Sequence, residues 1–213
     1  AALRKNRICQ STIRFNSGNN WTAIPGKGWR FFFGMSILTK QTGGFMCGRF
    51  TMTLPVDTMS QLFDAVPNND LPSVPDFNVC PTQQIHVIVP GDKRRLVSMR
   101  WGFIPRWYKS PMDGPLLINA RSETIAQKPA FREACRMRRC LIPMSGFYEW
   151  SKTLDEKRQP WYVHAKEPLV VAGIWQDWGH EKMSTCAIVT CPATKKMSVI
   201  HARMPVILRQ ESW

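Results

Sequence analysis

The sequence predicts an α+β domain that is mostly antiparallel and barrel-like. Short runs of β-branched and aromatic residues recur through the second half of the chain, each bounded by turn residues. Only about two segments show helical spacing, and the sequence contains no internal repeat. Successive strands joined by short turns favour an antiparallel sheet that curls into a barrel.

The first predicted elements are a strand, a helix and a pair of strands. CGRFTMT, at 47–53, has the character of a short strand, and the segment 54–66 places Met59, Leu62, Phe63 and Val66 at helical spacing. This spacing predicts a helix with one core face. A loop rich in Pro and Asn follows and leads into QIHVIV, which we expect to pair through the turn GDK with RRLVSMRWGF.

The second half contains one more helical segment and four strand-like runs. SETIAQKPAFREACRMRR, at 122–139, is predicted to be helical, with Pro129 suited to a first turn. The strand-like runs that follow are RCLIPMSGFYEW, QPWYVHAK, PLVVAGIWQDW and STCAIVTC.

Charge is the strongest global signal. The chain carries 29 Lys and Arg against 15 Asp and Glu, a formal net charge of +14. This excess favours a polyanionic partner such as nucleic acid, and the alternative is a basic protein without one. Residues 1–46 contain seven basic residues and no acidic one, so residues 47–213 carry the other half of the net charge.

The composition argues against several other classes. The longest apolar runs, at 31–35 and 169–175, are far shorter than the roughly 20 residues that cross a bilayer. The 7 cysteines form no CxxC pair and no His/Cys cluster at zinc spacing. We therefore predict no membrane span, disulfide framework, metal or organic cofactor. The compartment is predicted to be reducing: the cytoplasm or nucleoid of a bacterium, or the nucleus of a eukaryote.

Met46 separates two kinds of sequence. Residues 1–46 are rich in Gly, Asn, Ser and Trp and lack clear periodicity. They are interpreted as translated upstream or cloning-derived sequence, with a transit peptide and a genuine extension as alternatives. The predicted domain covers residues 47–213.

Cys47 directly follows Met46 in the stretch GGFMCGRFT. If Met46 is a true start and is removed, Cys47 carries a free amine beside its thiol. Such a 1,2-aminothiol captures an aldehyde first as an imine and then as a five-membered thiazolidine ring. Left internal, Cys47 is only a thiol.

Two strand-like segments carry candidate polar residues. In LLINARSET an extended chain points Asn119 and Arg121 to one face, where an amide and a guanidinium suit recognition of amines and phosphates. In GFYEW the same alternation puts Phe147 and Glu149 together. A carboxylate held among aromatics is a usable proton donor, and the alternative is a solvent-facing Glu on an edge strand.

Two further stretches are weaker signals. IHARMPVIL sets His201 in a predicted loop, where an imidazole can move protons or bind a sugar hydroxyl, although single histidines are often structural. RWGFIPRW interleaves arginines with aromatics, which suits single-stranded nucleic acid but is equally typical of a tryptophan-rich core.

Seven motifs, in this order, resemble those of the SRAP family of SOS response-associated peptidases, also called abasic-site processing proteins: MCGRF, FNVCPTQ, RWGFIPRW, LINARSET, RCLIPMSGFYEW, LVVAGIW and IHARMPVIL. The resemblance runs from Met46 to the end of the chain. It implies a mostly antiparallel, β-barrel-like domain with flanking helices. It further implies binding of single-stranded DNA and a covalent crosslink to abasic sites in the DNA damage response, without a cofactor.

The resemblance also implies roles for single residues. Cys47 matches the nucleophile that forms a thiazolidine with the ring-opened sugar aldehyde. Asn119 matches the residue that positions its amine, Glu149 the acid/base carboxylate, and His201 the histidine that acts on the sugar.

The resemblance implies DNA contacts in three of the motifs: MCGRF, LINARSET and RWGFIPRW. Arg49 and Arg121 match ligands of the DNA backbone. Trp101, Pro105 and Trp107 lie in the region that the family uses against bases flanking the lesion.

Two features depart from the family pattern. Cys47 is preceded by 46 residues, so its nitrogen is an amide unless the chain starts or is cleaved at Met46. ILRQESW stops where relatives continue, so we expect a C-terminal truncation.

Alternatives to a monomeric abasic-site crosslinker are a cysteine peptidase or amidohydrolase that uses Cys47 with Glu149 or His201, and a non-catalytic single-strand binder.

Overall fold

The computed structural model describes residues 21–23, 48–152 and 158–213. The elements of this part of the chain are, in order, β1 (Trp21–Ala23), β2 (Arg49–Met52), α1 (Val56–Phe63), β3 (Ala65–Pro67), β4 (Asp76–Val79), β5 (Gln84–Val89), β6 (Arg94–Trp101), β7 (Asn119–Arg121), α2 (Arg132–Met137), β8 (Arg139–Lys152), β9 (Arg158–Trp178), β10 (Met183–Pro192) and β11 (Arg203–Pro205).

Five strands close into a barrel in the order β9, β10, β6, β5, β8, with β8 pairing back onto β9. Four of the five junctions are antiparallel, and β10 pairs with β6 in parallel. The predicted class, mostly antiparallel and barrel-like with few helices, is therefore confirmed. The predicted pairing of QIHVIV with RRLVSMRWGF is also confirmed, because β5 and β6 form an antiparallel ladder.

The β8–β9 hairpin continues beyond the barrel. The register between the two strands shifts between Met144 and Gly146. Past this shift β8 pairs with β2 as well as β9, β2 pairs with β4, and β9 pairs with β1. Gly146 is needed at the shift, because a Cβ there would lie 2.6 Å from the ring of Tyr162, which crosses over β8.

The core fills the barrel and the space under α1. Each large apolar side chain that is fully buried contributes about 1.5–3 kcal/mol to stability. The segment 85–89 of β5 is buried at every position, so both of its faces are covered. The largest fully buried aromatic side chains are those of Trp101, Phe50, Phe63, Phe103 and Phe147.

The first predicted helix is shorter than its apolar spacing suggests. Met59 and Phe63 are buried on α1 as predicted, and Leu62 is half-buried. The prediction for Val66 is wrong, because this residue lies on β3 and is 52% exposed. The helix ends at Phe63 and is capped by Asp64, which adopts the left-handed conformation with φ of 47°, a conformation that Asp tolerates.

Other boundaries also differ from the prediction. The predicted loop 67–83 contains β4, whose partner β2 is distant in sequence. The runs 159–166 and 168–178 form one long strand, β9, which changes partners along its length. The segment predicted to be helical, 122–139, consists of turns, the short helix α2 and the first residue of β8. The prediction that Pro129 lies in the first turn of a helix is wrong, because it lies in the turns three residues before α2.

Candidate functional site

The start of β2 lies beside the C-terminal half of β8. Arg49 faces Tyr148 and Phe50 faces Phe147 across this antiparallel ladder. The chain leading back to Gly48 therefore runs alongside the chain leading from Tyr148 to Glu149. Cys47, the predicted nucleophile, lies outside the described residues.

Glu149 is buried inside this arrangement. It is 1% exposed and shares the buried face of β8 with Phe147, as the alternation in GFYEW predicts. Its cross-strand neighbour on β9 is Trp161. The alternative of a solvent-facing Glu on an edge strand is wrong, because β8 is paired on both sides here.

Trp101 links β2 to the segment before β7. Its side chain is fully buried, its ring lies edge-on to Phe50 with centroids 5.1 Å apart, and its Nε1–H donates to the carbonyl oxygen of Ile118 at 3.1 Å. The residue after Ile118 is Asn119. Trp101 thus joins the strand that follows Cys47 to the strand that begins with Asn119, but its ring is not available to stack on a base.

β7 presents Asn119 and Arg121 on one face, with Ala120 completely buried on the other. Asn119 is half-buried and Arg121 is exposed. β7 pairs in parallel with β10, where Arg121 lies opposite Thr190. The predicted alternation in LLINAR is confirmed.

His201 lies just before β11, which pairs with β10 in the antiparallel direction, whereas β7 pairs with β10 in parallel. The main-chain N–H of Arg203 donates to His201 Nδ1 at 3.1 Å, and the Arg203 carbonyl oxygen lies 3.3 Å from the same nitrogen. The Arg203 guanidinium donates to both carboxylate oxygens of Glu123, at 2.5 and 2.9 Å, and to the carbonyl oxygen of Thr190 at 2.9 Å.

Glu123 and Arg203 were not singled out by sequence reasoning. Each lies two residues beyond a candidate, Arg121 in one case and His201 in the other. The opposite charges in LINARSET and HARMP are the signal that could have identified the pair. The Arg203 hydrogen bonds hold the pKa of Glu123 down at about 2, so this carboxylate is ionised at neutral pH.

The guanidinium of Arg49 lies on the other face of β2 from Phe50. Its Nη1 donates to Asn78 Oδ1 at 2.8 Å, on β4. Nearby, the Tyr148 hydroxyl donates to the carbonyl oxygen of Phe77 at 3.1 Å, and the Phe77 side chain is 65% exposed. The Pro and Asn content of 67–83 predicts a loop for these two β4 residues, although FNVCPTQ is one of the motifs of the resemblance.

The RWGFIPRW segment divides into a buried and an exposed part. Gly102 follows Trp101 with φ of 143°, where a Cβ would lie 2.6 Å from Arg100 Nη1. Pro105 is buried, whereas Trp107 is 59% exposed. Of the three residues predicted to face bases, only Trp107 presents an open aromatic surface.

No group of three or more His, Cys, Asp or Glu side chains in the described part of the chain could hold a metal ion. Within residues 21–23, 48–152 and 158–213, no helix is long and apolar enough to span a membrane.

Fold and site together define a class of protein, a mostly antiparallel β-barrel with polar side chains at two places. The buried Glu149 lies beside β2. The strands β7 and β11, which pair with β10, carry or adjoin Asn119, Arg121, His201 and Arg203. The chain belongs to the SOS response associated peptidase (SRAP) family, whose family model matches residues 46–213.

Similar proteins include two from Bacillus subtilis (strain 168). The abasic site processing protein YoaM is 38% identical over 175 residues, which cover 78% of this chain and 76% of YoaM. The abasic site processing protein YoqW is 36% identical over 176 residues, which cover 78% of each chain.

Solved structures also share the fold. A crystal structure of a Bacteroides thetaiotaomicron protein matches with a TM-score of 0.69 at 24% identity, over 78% of both chains. A crystal structure of a Bordetella bronchiseptica protein matches with a TM-score of 0.66 at 25% identity, over 76% of this chain and 84% of the other.

Proposed function

We propose that this protein processes abasic sites in single-stranded DNA by forming a covalent crosslink through Cys47. The names of the Bacillus relatives support abasic sites as the target. The observation that carries the proposed chemistry is the pairing of β2 with β8, which runs the chain following Cys47 alongside the buried Glu149.

The reaction begins with the sugar. An abasic sugar is mostly closed, and opening it moves a proton from the anomeric hydroxyl to the ring oxygen as the bond between that oxygen and the anomeric carbon breaks. His201 is the group proposed to move this proton, because an imidazole both accepts and donates near neutral pH. The product is a free aldehyde.

Capture of the aldehyde loses one water. The Cys47 amine, once terminal, has a reference pKa of about 8, so a useful fraction is neutral and adds to the aldehyde carbon. Glu149 donates a proton to the hydroxyl that leaves the carbinolamine as water, and then takes back the proton that the nitrogen loses, giving a neutral imine. The thiol then adds across the imine, with sulfur bonding to carbon and the proton passing to nitrogen. Asn119 is proposed to orient the amine.

The remaining candidates are proposed to hold the DNA. Arg49 and Arg121 suit phosphate oxygens because a guanidinium binds them in a bidentate manner. Trp107 offers an exposed ring to an unstacked base. Pro105 and Trp101 are proposed to act indirectly, by supporting the loop and the strands around the site.

The proposal is tested with two forms of the protein, one with all 213 residues and one starting at Met46. Intact mass spectrometry establishes the first residue of each, and each is incubated with single-stranded DNA that carries one abasic site. We expect an adduct that survives denaturation only when Cys47 is the first residue, and none with Cys47→Ser.

Two other outcomes would favour different functions. Hydrolysis of peptide or amide substrates that depends on Cys47, without an adduct, would favour a cysteine peptidase. Unchanged DNA affinity after Cys47→Ala, with no adduct from the unsubstituted protein, would favour a non-catalytic binder. Labelling of the same DNA by an aldehyde-reactive probe confirms that the abasic site was present.

A further inference from the structure

An ion pair bridges the two segments that flank β10. Glu123 follows β7, and Arg203 begins β11 on the opposite edge of β10. The guanidinium of Arg203 reaches across Thr190, donating to its carbonyl oxygen at 2.9 Å and to its Oγ1 at 3.2 Å. The Arg203 side chain is 13% exposed and the Glu123 side chain is 42% exposed, so the guanidinium of this bidentate pair is shielded from water and the carboxylate is only partly so.

The main chain of Arg203 contacts His201 on one ring nitrogen. When Nδ1 has no proton, it accepts from the Arg203 N–H at 3.1 Å, which leaves the proton on Nε2. When the ring is charged, Nδ1–H can donate to the Arg203 carbonyl oxygen at 3.3 Å. One residue therefore supplies a partner for either protonation state, and the ring need not move between them.

We infer that Glu123 is a positioning residue, which holds Arg203 across β10 and thereby fixes His201 with Nε2–H directed away from the Arg203 main chain. This role rests on the proposed function, in which His201 moves the proton that opens the sugar. Glu123 itself does not contact the sugar in this account. The low pKa of Glu123 means that the ion pair persists throughout the neutral range.

The first test is spectroscopic and needs no DNA. In protein labelled with ¹⁵N-histidine, the His201 signals are assigned by their loss in His201→Gln, at a pH where the ring is neutral. We expect Nδ1 to appear as the unprotonated nitrogen and Nε2 as the protonated one. In Glu123→Ala the two tautomers should mix, and in Glu123→Gln, which keeps one acceptor oxygen, the mixing should be partial.

Glu133→Ala is the matched control. It removes a carboxylate on α2 that pairs with Arg138 at 2.7 Å and with Arg106 at 3.1 Å instead of with Arg203. The His201 signals should be unchanged in this variant. Identical His201 signals in the unsubstituted protein, Glu123→Ala and Glu123→Gln would overturn the inference. If Glu123→Ala does not fold, judged by circular dichroism, Glu123→Gln decides the question.

The second test separates sugar opening from capture. The crosslinking rate is measured with an ordinary abasic site and with an acyclic aldehyde analogue that cannot close its ring. Glu123→Gln should slow the reaction with the ordinary site by about tenfold or more and leave the reaction with the analogue unchanged. Equal slowing with both substrates would overturn the role. Absence of crosslinking by the unsubstituted form whose first residue is Cys47 would instead refute the proposed function, while the spectroscopic test would still decide the role of Glu123.

Discussion

At the scale of single residues, burial distinguishes side chains that look alike in the sequence. Trp101 and Trp107 belong to one motif, yet the first is fully buried and the second is 59% exposed. Glu149 is buried on a central strand, whereas Glu167 is exposed on the neighbouring β9. These contrasts provide matched variants for testing each role.

Glu149→Gln should slow crosslinking by roughly 10²–10⁴-fold, because Gln keeps the size of the side chain but cannot donate an acidic proton. Single-turnover rates on single-stranded DNA with one abasic site measure the effect. Glu167→Gln is the control and should react at the normal rate. A normal rate for Glu149→Gln would remove this residue from the mechanism.

The two tryptophans should respond oppositely to substitution. Trp101→Ala should lower the free energy of unfolding by about 3–5 kcal/mol, because it leaves a cavity in the core and removes the hydrogen bond that the indole donates to the Ile118 carbonyl oxygen. Trp107→Ala should change that free energy by less than about 0.5 kcal/mol and weaken binding to single-stranded DNA by about 1–3 kcal/mol. Denaturant titration and fluorescence anisotropy make the two measurements. Unchanged DNA affinity in Trp107→Ala would contradict the stacking role.

At the scale of elements, β5 contains a histidine with a shifted pKa. His86 is 3% exposed, and this burial lowers its pKa to about 4. The unfolded chain binds the proton near its ordinary pKa of about 6.5. Above about 6.5 the ring is neutral in both states and protonation costs no stability. As the pH drops from about 6.5 to about 4, the unfolded chain takes up the proton first, so the free energy of unfolding falls.

The expected loss over this interval is roughly 2 kcal/mol for His86, after allowance for partial solvation. Denaturant titrations at a series of pH values measure it, with His180→Gln, a substitution at an exposed position, as the control. His86→Gln should flatten the curve in this interval. A curve of unchanged shape in His86→Gln would show that other groups cause the pH dependence.

The sequence predicts elements well where local spacing and burial agree. The alternation that buries Phe147 and Glu149 is visible in GFYEW, and the β5–β6 pair is visible from two runs and a short turn. Features that depend on residues distant in the chain cannot be predicted from local spacing. β4 forms because β2 offers it an edge, and the Glu123–Arg203 pair joins residues 80 positions apart. The burial of Trp101 depends likewise on Phe50 and Ile118, neither of which is adjacent to it in sequence.

At the scale of the whole molecule, positive charge is proposed to supply much of the DNA affinity. Binding of Lys and Arg to phosphates releases counterions, so the logarithm of affinity falls with the logarithm of salt concentration. On single-stranded DNA, each arginine that neutralises one phosphate should account for about 0.7 of that slope.

Arg49→Ala and Arg121→Ala should each reduce the slope by about this amount and weaken binding similarly for all sequences. Arg209→Ala is the control, since Arg209 pairs with Glu211 at 3.6 Å near the end of the chain. Anisotropy titrations at several salt concentrations provide the slopes. If the salt dependence of affinity in Arg49→Ala or Arg121→Ala has the same slope as in the unsubstituted protein, the substituted arginine is not a phosphate ligand.

The central claim is that Cys47, as a terminal residue, bonds the sugar through both nitrogen and sulfur. Trypsin cleaves after Arg49, so the crosslink from the form starting at Met46 should yield the tripeptide Cys47–Gly48–Arg49 joined to the sugar. The predicted mass equals that of the tripeptide plus the open sugar minus one water, and the cysteine sulfur, which is bonded to the sugar carbon, cannot be modified by a thiol-alkylating reagent. A linkage on a lysine, or a Cys47 thiol that remains open to alkylation in the adduct, would contradict it.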